Sequence, residues 1–127
     1  MIIKLYFMNY NTETKTLVID PSFNDELINI PNDVNNIIFY ENYNKNVYSN
    51  FNQLIDNLPN SITHLTFGMR FNQLVDNLPN SIIHLSFSHD FNQKVDNLPN
   101  SITHISFGND FNHKVDNLPN YLIHLTF

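Results

Sequence analysis

The sequence contains no cysteine and no tryptophan, and it has few glycines and few basic residues. Without cysteine, the chain can form neither disulfide bonds nor zinc–thiolate sites, and it has no cysteine nucleophile. Six Lys and Arg residues stand against twelve Asp and Glu residues, so the net charge is −6. Because no basic cluster is present, the composition argues against binding to nucleic acid or to an anionic membrane surface.

Long hydrophobic runs are also missing. No segment approaches the roughly 20 apolar residues that a transmembrane helix needs. The N-terminal segment MIIKLYFMNY has a short apolar run, but it lacks a basic region and a small-residue cleavage site. We therefore interpret it as a strand rather than as a signal peptide. Since a chain without cysteine also fits a reducing compartment, we expect an intracellular, cytoplasmic protein.

The dominant feature of the sequence is a repeat of 20 residues. Residues 71–90 (FNQLVDNLPNSIIHLSFSHD) recur almost letter for letter as residues 91–110 (FNQKVDNLPNSITHISFGND). Residues 51–70 and 111–127 share the pattern F-N-x-x-[IV]-D-N-L-P-N-x-[IL]-x-H-[LI]-[ST]-F. A repeat of this length indicates a solenoid, in which each unit buries its apolar residues against its neighbours.

Within each unit, alternating apolar residues predict one short strand. Leu85 and Phe87 are separated by one polar residue, so both side chains point inward from a strand. The V-D-N-L-P segment is too short and too rich in Asn and Pro for a full helix, and we expect extended chain or one 3₁₀ turn there. The predicted fold is a leucine-rich-repeat-like solenoid with a parallel β-sheet, one short strand per 20-residue turn, and little or no α-helix on the outer side.

The residues before the regular repeats divide into a cap and a degenerate repeat. Residues 2–8 alternate like a strand, and residues 16–19 match the strand positions of later units. We therefore predict an N-terminal β-hairpin cap and a first rung within residues 1–22. The remaining segments of this single domain are a degenerate repeat at 23–50 with an inserted loop at 40–50, and four regular repeats at 51–70, 71–90, 91–110 and 111–127.

The F-N opening, the L-P-x-S-[IL] centre and the H-L-x-F close, seen together in residues 51–70 and 71–90, resemble the FNIP repeat, a relative of leucine-rich repeats described mainly from social amoebae and giant amoebal viruses. The resemblance covers roughly residues 16–127. It implies a curved parallel-sheet solenoid that interacts with other proteins, located in the host cytoplasm if the protein is viral. Relatives often carry an N-terminal F-box, but the residues before this array are patterned as strands, so we expect no ubiquitin-ligase role.

Stacked units place equivalent residues in columns about 4.8 Å apart, and two polar columns face out of the predicted sheet. Their members are His64, Thr66, His84, Ser86, His104, Ser106, His124 and Thr126. The imidazoles form a line, whereas a transition metal needs ligands that converge at about 2.0–2.1 Å, so we predict no metal site and no cofactor. Two interpretations stay open, a half-exposed ladder of neutral rings with lowered pKa values and a ligand-contact stripe on the concave face.

Three further columns are polar and lie outside the predicted strands. They are Asp56, Asp76, Asp96 and Asp116; Asn52, Asn72, Asn92 and Asn112; and Asn60, Asn80, Asn100 and Asn120. We interpret the Asp column as turn formers that bond local backbone, since a calcium site needs oxygens that converge from several turns. We predict that both Asn columns are amide ladders. No rung adds a third group to its Ser–His pair, so we predict no enzymatic activity.

Two surfaces are candidates for partner binding, the concave sheet and the inserted loop with Tyr40, Tyr43 and Tyr48. The leading hypothesis is a non-catalytic protein–protein interaction module with an unidentified protein partner. The alternative is a structural, self-assembling protein that acts through its C-terminal edge strand, where two copies would pair antiparallel as a homodimer. The residues of that interface would be Tyr121, Leu122, Ile123, His124, Leu125, Thr126 and Phe127. A frayed monomer or a truncated chain is the other interpretation of this edge.

Overall fold

The protein is a solenoid built on one seven-stranded sheet, seen in a computed structural model that describes residues 6–127. The strands are β1 (Met8–Asn11), β2 (Thr16–Ile19), β3 (Asn36–Phe39), β4 (His64–Thr66), β5 (His84–Ser86), β6 (His104–Ser106) and β7 (His124–Thr126). They lie side by side in chain order, with β1 antiparallel to β2 and every later pair parallel. The predicted leucine-rich-repeat-like fold with one short strand per turn is therefore confirmed.

Helix is almost absent from the part of the chain that the structure describes. The inserted loop contains a 3₁₀ turn at Tyr43–Lys45. Within residues 6–127, no helix has both the length and the apolar composition needed to cross a bilayer. The outer side of each regular repeat is irregular chain, as expected for segments that contain Pro and Asn.

The parallel register brings identical letters together along the solenoid. His64 pairs with His84, His84 with His104, and His104 with His124. Because side chains alternate along a strand, the residue after each His points inward, and Leu65, Leu85 and Ile105 are buried. Because of the 20-residue period, equivalent residues of successive repeats lie side by side and form continuous columns along the solenoid.

The core contains two columns of phenylalanine rings in contact with each other. Phe71 lies 6.1 Å from Phe51 and 6.1 Å from Phe91 between ring centroids, with nearly parallel planes. Phe67 belongs to the second column and stacks on Phe71 at 3.7 Å. Aromatic pairs of this kind contribute about 0.5–1.5 kcal/mol beyond their buried area. The Phe columns therefore join each repeat to both of its neighbours.

Amide side chains connect successive turns on the outer side. The Oδ1 atom of Asn52 accepts hydrogen bonds from the backbone N–H of Asn72 at 2.9 Å and from Nε2 of Gln73 at 3.1 Å. The same pattern recurs one repeat further on, which confirms this amide ladder. The Asp column also connects repeats, because Asn77 Nδ2 donates to Asp56 Oδ1 at 3.1 Å.

The second predicted amide ladder is wrong. The asparagines Asn60, Asn80, Asn100 and Asn120 are exposed, and within residues 6–127 no hydrogen bond joins their side chains. The bond between turns is instead made by the residue that follows, because Ser81 Oγ donates to the backbone oxygen of Ile62 at 2.6 Å.

The N-terminal hairpin is present, but its first strand lies later than the predicted strand at residues 2–8. Residues 1–5 lie outside the described residues, and β1 starts at Met8. Asn11 ends the strand because its Oδ1 accepts hydrogen bonds from the backbone N–H groups of Glu13 and Thr14. Asn9 and Tyr10, which precede Asn11 and lie beyond the predicted strand, pair with Val18 and Leu17 of β2.

Candidate functional site

The outward face of the sheet lines a groove of about 390 Å³. Its lining comes from strands β3 to β7 and consists of Asn36, Ile38, His64, Leu65, Thr66, His84, Leu85, Ser86, His104, Ile105, Ser106, His124 and Thr126. The structure thus brings all eight sequence-predicted residues of the concave face into one groove. Most of the polar groups on this face are imidazoles and hydroxyls, so the surface offers hydrogen-bonding groups without carboxylates.

The four histidines of the groove stack as a ladder. Neighbouring ring centroids are 4.4 Å apart for His64 and His84, 4.1 Å for His84 and His104, and 4.5 Å for His104 and His124. The planes are close to parallel, with angles of 9°, 16° and 26°. Because the rings lie along a line, their nitrogen atoms do not converge on one point.

The residue before each histidine divides the ladder into two kinds of imidazole. Thr63 Oγ1 lies 2.8 Å from Nδ1 of His64, and Thr103 Oγ1 lies 2.7 Å from Nδ1 of His104. Isoleucine occupies the same position before His84 and His124, so those rings have no such hydroxyl. The groove therefore alternates between imidazoles with a bonded Nδ1 and imidazoles without that partner.

The groove favours neutral histidine in its two central rungs. Burial lowers the pKa of His84, and the imidazoles of His64, on the adjacent strand, and of His124, two strands away, lower it further. Burial and then the imidazoles of His84 and His124 lower the pKa of His104 in the same way. Since an unperturbed histidine has a pKa of about 6.5, these rings are neutral at pH 7 and act as polar, uncharged contacts.

The hydroxyl column runs beside the histidine ladder. Ser86 Oγ and Ser106 Oγ are 2.6 Å apart and hydrogen-bonded to each other. This bond leaves further hydrogen-bonding capacity on each hydroxyl for a bound group. A histidine and a hydroxyl residue two positions later recur at every rung from β4 to β7. The groove lining contains no carboxylate that would orient one imidazole as a base toward a serine.

The inserted loop is docked on the side of the solenoid rather than extended into solvent. Glu41 Oε1 accepts hydrogen bonds from the backbone N–H groups of Ser49 and Met69, so one carboxylate ties the loop to the turn after β4. The Tyr43 hydroxyl donates to Glu41 Oε2 at 2.7 Å and lies 3.3 Å from Ser88 Oγ, beyond β5. Close approach requires Gly68, because a Cβ at this position would overlap the Ser49 side chain.

The predicted tyrosines of the loop differ in their exposure. Tyr43 is 58% exposed and Tyr40 is 43% exposed, whereas Tyr48 is half-buried and makes an edge contact with the Tyr43 ring at 5.6 Å. None of them lines the groove. The groove and the inserted loop are therefore two separate surfaces of one solenoid.

The predicted C-terminal interface lies on the least buried rung of the described chain. Tyr121 is 72% exposed, Ile123 is 70% exposed and Phe127 is 69% exposed. His124, Leu125 and Thr126 form β7 and are exposed, while Leu122 is partly buried against the core. β7 pairs with β6 on one side.

One cluster escaped the sequence analysis. His89, Asp90 and Asp110 come together on the turns after β5 and β6, with one potential ligand atom of each within 4.8 Å of the others. The signal in the sequence is the contrast between neighbouring turns. The repeats are otherwise nearly identical, but these turns have the sequence Gly-Met-Arg at 68–70, Ser-His-Asp at 88–90 and Gly-Asn-Asp at 108–110.

Comparisons with known proteins agree with this geometry. The FNIP repeat family matches residues 51–90 and 91–127. The crystal structure of CroV588, described as a novel circular LRR protein and coming from the giant virus CroV, is similar with a TM-score of 0.73 and 42% sequence identity. The similarity covers 88% of this chain but only 17% of that protein. No curated protein matches the sequence.

Proposed function

Because this chain belongs to the FNIP-repeat family, we propose that it is a non-catalytic protein–protein interaction module that binds its partner through the concave sheet and the inserted loop. Repeats of this family and leucine-rich-repeat-like folds generally mediate protein interactions, and such solenoids are typically non-catalytic. The observation that carries the proposal is the continuous groove formed by the histidine and hydroxyl columns.

The groove has the features of a surface that recognises a peptide or protein segment. It is about 390 Å³ in volume, and its stacked rings hold one another in fixed positions. Pre-positioned rings lose little conformational freedom when a partner binds. The neutral imidazoles of His84 and His104 and the hydroxyls also suit a polar, uncharged partner segment better than a nucleic acid, whose phosphates need basic residues.

The inserted loop supplies the second contact surface in this proposal. Tyr43 presents an exposed aromatic ring with a polar end, a type of side chain enriched at binding hot spots. Its hydroxyl is already held by Glu41, so the ring is oriented before a partner arrives. We also propose that the partner is an intracellular protein, which keeps the cytoplasmic location expected from the sequence.

Quantitative capture of a protein partner from the native cell, followed by affinity measurement with variants, tests this function. His84→Ala/Ser86→Ala should remove the groove contacts, and Tyr43→Ala should remove the loop contact. Leu74→Ala is the matched control, because Leu74 is 52% exposed on the outer side of the same repeat. Loss of affinity in both test variants with retention in the control supports the proposal. Full affinity in the groove variant would refute the concave mode.

The alternative function is self-assembly through β7, and the exposure of Tyr121, Ile123 and Phe127 favours it. The other edge of the sheet carries the antiparallel strand β1. Two copies that meet at β7 would each contribute the same surface, so they would be related by a two-fold axis. Light scattering at high micromolar concentration tests this state. A dimer that Ile123→Lys converts to a monomer supports self-assembly, whereas a monomeric wild-type chain refutes it.

A further inference from the structure

We propose that His89, Asp90 and Asp110 form a binding site for one divalent transition-metal ion, for which Zn²⁺ is the probe. The three residues lie on the turns that follow β5 and β6, outside the concave groove. This proposal does not depend on the protein-interaction function. It rests on the spacing of the ligand atoms, on the charge of the cluster and on the way in which the backbone holds the two turns together.

The spacing of the side-chain atoms suits a tetrahedral ion. His89 Nδ1 lies 2.9 Å from Asp90 Oδ1 and 3.6 Å from Asp110 Oδ2. An ion that binds N and O ligands at about 2.1 Å in tetrahedral geometry holds its ligand atoms about 3.4 Å apart. The two observed separations lie on either side of that value. The side chains therefore need only small rotations to meet one ion, in contrast to the groove histidines, which lie along a line.

The charge of the cluster also favours a cation. Asp90 and Asp110 occupy equivalent positions in successive repeats, so their carboxylates are brought near each other by the stacking. Within residues 6–127, neither carboxylate forms an ion pair with Lys or Arg, and His89 is the partner that both share. A neutral imidazole with two carboxylates carries a net charge of about −2, which a divalent ion neutralises.

Backbone contacts hold the two turns in place. The N–H of Asp110 donates to the backbone oxygen of His89 at 3.0 Å, and the N–H of Asp90 donates to the backbone oxygen of Met69 at 2.9 Å. Gly108 permits this approach, because a Cβ there would overlap the backbone of Ser88 and His89. The ligands thus come from a fixed backbone, which lowers the entropic cost of assembling the site.

The array itself shows that this triad is specific to one pair of turns. At the positions of His89 and Asp90, the preceding turn has Met69 and Arg70. A thioether and a guanidinium at these places cannot complete a zinc site, since Zn²⁺ takes imidazole, thiolate and carboxylate ligands. Within residues 6–127 the structure therefore offers one such site, on the turn that Tyr43 of the inserted loop contacts at Ser88.

Isothermal titration of the full chain with Zn²⁺ tests the site. His89→Ala and Asp90→Asn/Asp110→Asn should each weaken binding at least about tenfold. Asp76→Asn/Asp116→Asn is the matched control, because it removes the same charge from the column on the outer side. A second control replaces the groove histidines with Gln at His64, His84, His104 and His124, since imidazoles elsewhere also attract Zn²⁺.

The expected result is one saturable Zn²⁺ site that survives in both controls and is lost in both site variants. Zn²⁺ should also raise the melting temperature of the wild-type chain, and it should not raise that of the site variants. Circular dichroism before titration verifies that each variant is folded. The proposal is overturned if the wild-type chain shows no saturable binding, if the site variants bind Zn²⁺ normally, or if only the groove-histidine variant loses binding.

Discussion

Replacing Asn52 with alanine should destabilise the solenoid much more than replacing Asn60, eight residues further along the same repeat. The Oδ1 atom of Asn52 accepts two hydrogen bonds from the next repeat, one from the backbone N–H of Asn72 and one from the Gln73 side chain. Both bonds lie in partly buried surroundings. The side chain of Asn60 is exposed, and among the described residues 6–127 it forms no hydrogen bond to another turn.

The expected cost follows from these two bonds. A typical intramolecular hydrogen bond contributes a net ~1 kcal/mol, and a donor left without a partner costs a further 1–3 kcal/mol if water cannot reach it. Because water partly reaches the N–H of Asn72, we expect Asn52→Ala to lower the free energy of unfolding by about 2 kcal/mol. Asn60→Ala should change it by less than about 0.5 kcal/mol.

Urea denaturation followed by circular dichroism measures both values, with the m-value as a check that the two variants unfold from the same compact state. A loss of about 2 kcal/mol corresponds to a drop in melting temperature of about 6 °C for a chain of this size. Equal effects for Asn52→Ala and Asn60→Ala would show that the amide ladder is a by-product of stacking rather than a source of stability.

Three further predictions concern the groove, the core and the turns. The free energy of unfolding should fall between pH 7.5 and 5.5. The pKa values of His84 and His104 are lowered in the folded state, so their contribution to stability is complete above the unfolded pKa of about 6.5 and is lost as the pH falls through the folded-state pKa values. Urea titrations at both pH values measure this change, and the same pH dependence in His84→Gln/His104→Gln would contradict the prediction. Phe91→Ala should lower the free energy of unfolding, measured by chemical denaturation, by about 3–5 kcal/mol, because the ring is fully buried between two other rings. A decrease of less than about 1 kcal/mol would argue against the stacked core. Gly108→Ala should lower the free energy of unfolding by about 1–3 kcal/mol, because the new Cβ would overlap the backbone of Ser88 and His89. Thermal melts should show no comparable destabilisation for the exposed control Asn109→Ala.

The regular part of the fold could be predicted from the sequence because one short pattern is repeated almost unchanged. A fixed period with alternating apolar residues determines which side chains enter the core and which face the groove, and Leu85 and His84 lie where the pattern requires. The inward and outward columns needed no information beyond the period. The same regularity explains why the first amide ladder could be predicted, since an Asn that follows every core Phe lies beside its equivalent.

Irregular features could not be predicted in this way, because they depend on local competition. The exact end of β1 is set by the side chain of Asn11, which bonds the following backbone and places the hairpin turn after it. The second Asn column repeats as strictly as the first, yet its side chains point into solvent. Periodicity gives neighbours in space, but it does not tell whether a side chain points toward its neighbour. The cluster at His89 was missed because its ligands come from two turns with different letters.

The inserted loop changes how the middle of the array can come apart. Linear arrays commonly fray one unit at a time from their ends, because each unit touches only its neighbours. Glu41 and Tyr43 act as a strut, since they reach from the rung of β3 to turns one and two rungs further on. Repeats connected by these contacts unfold together, so this region opens cooperatively instead of losing its order one repeat at a time. A protein that displaces Tyr43 from Ser88 would therefore lower the stability of repeats with which it makes no contact.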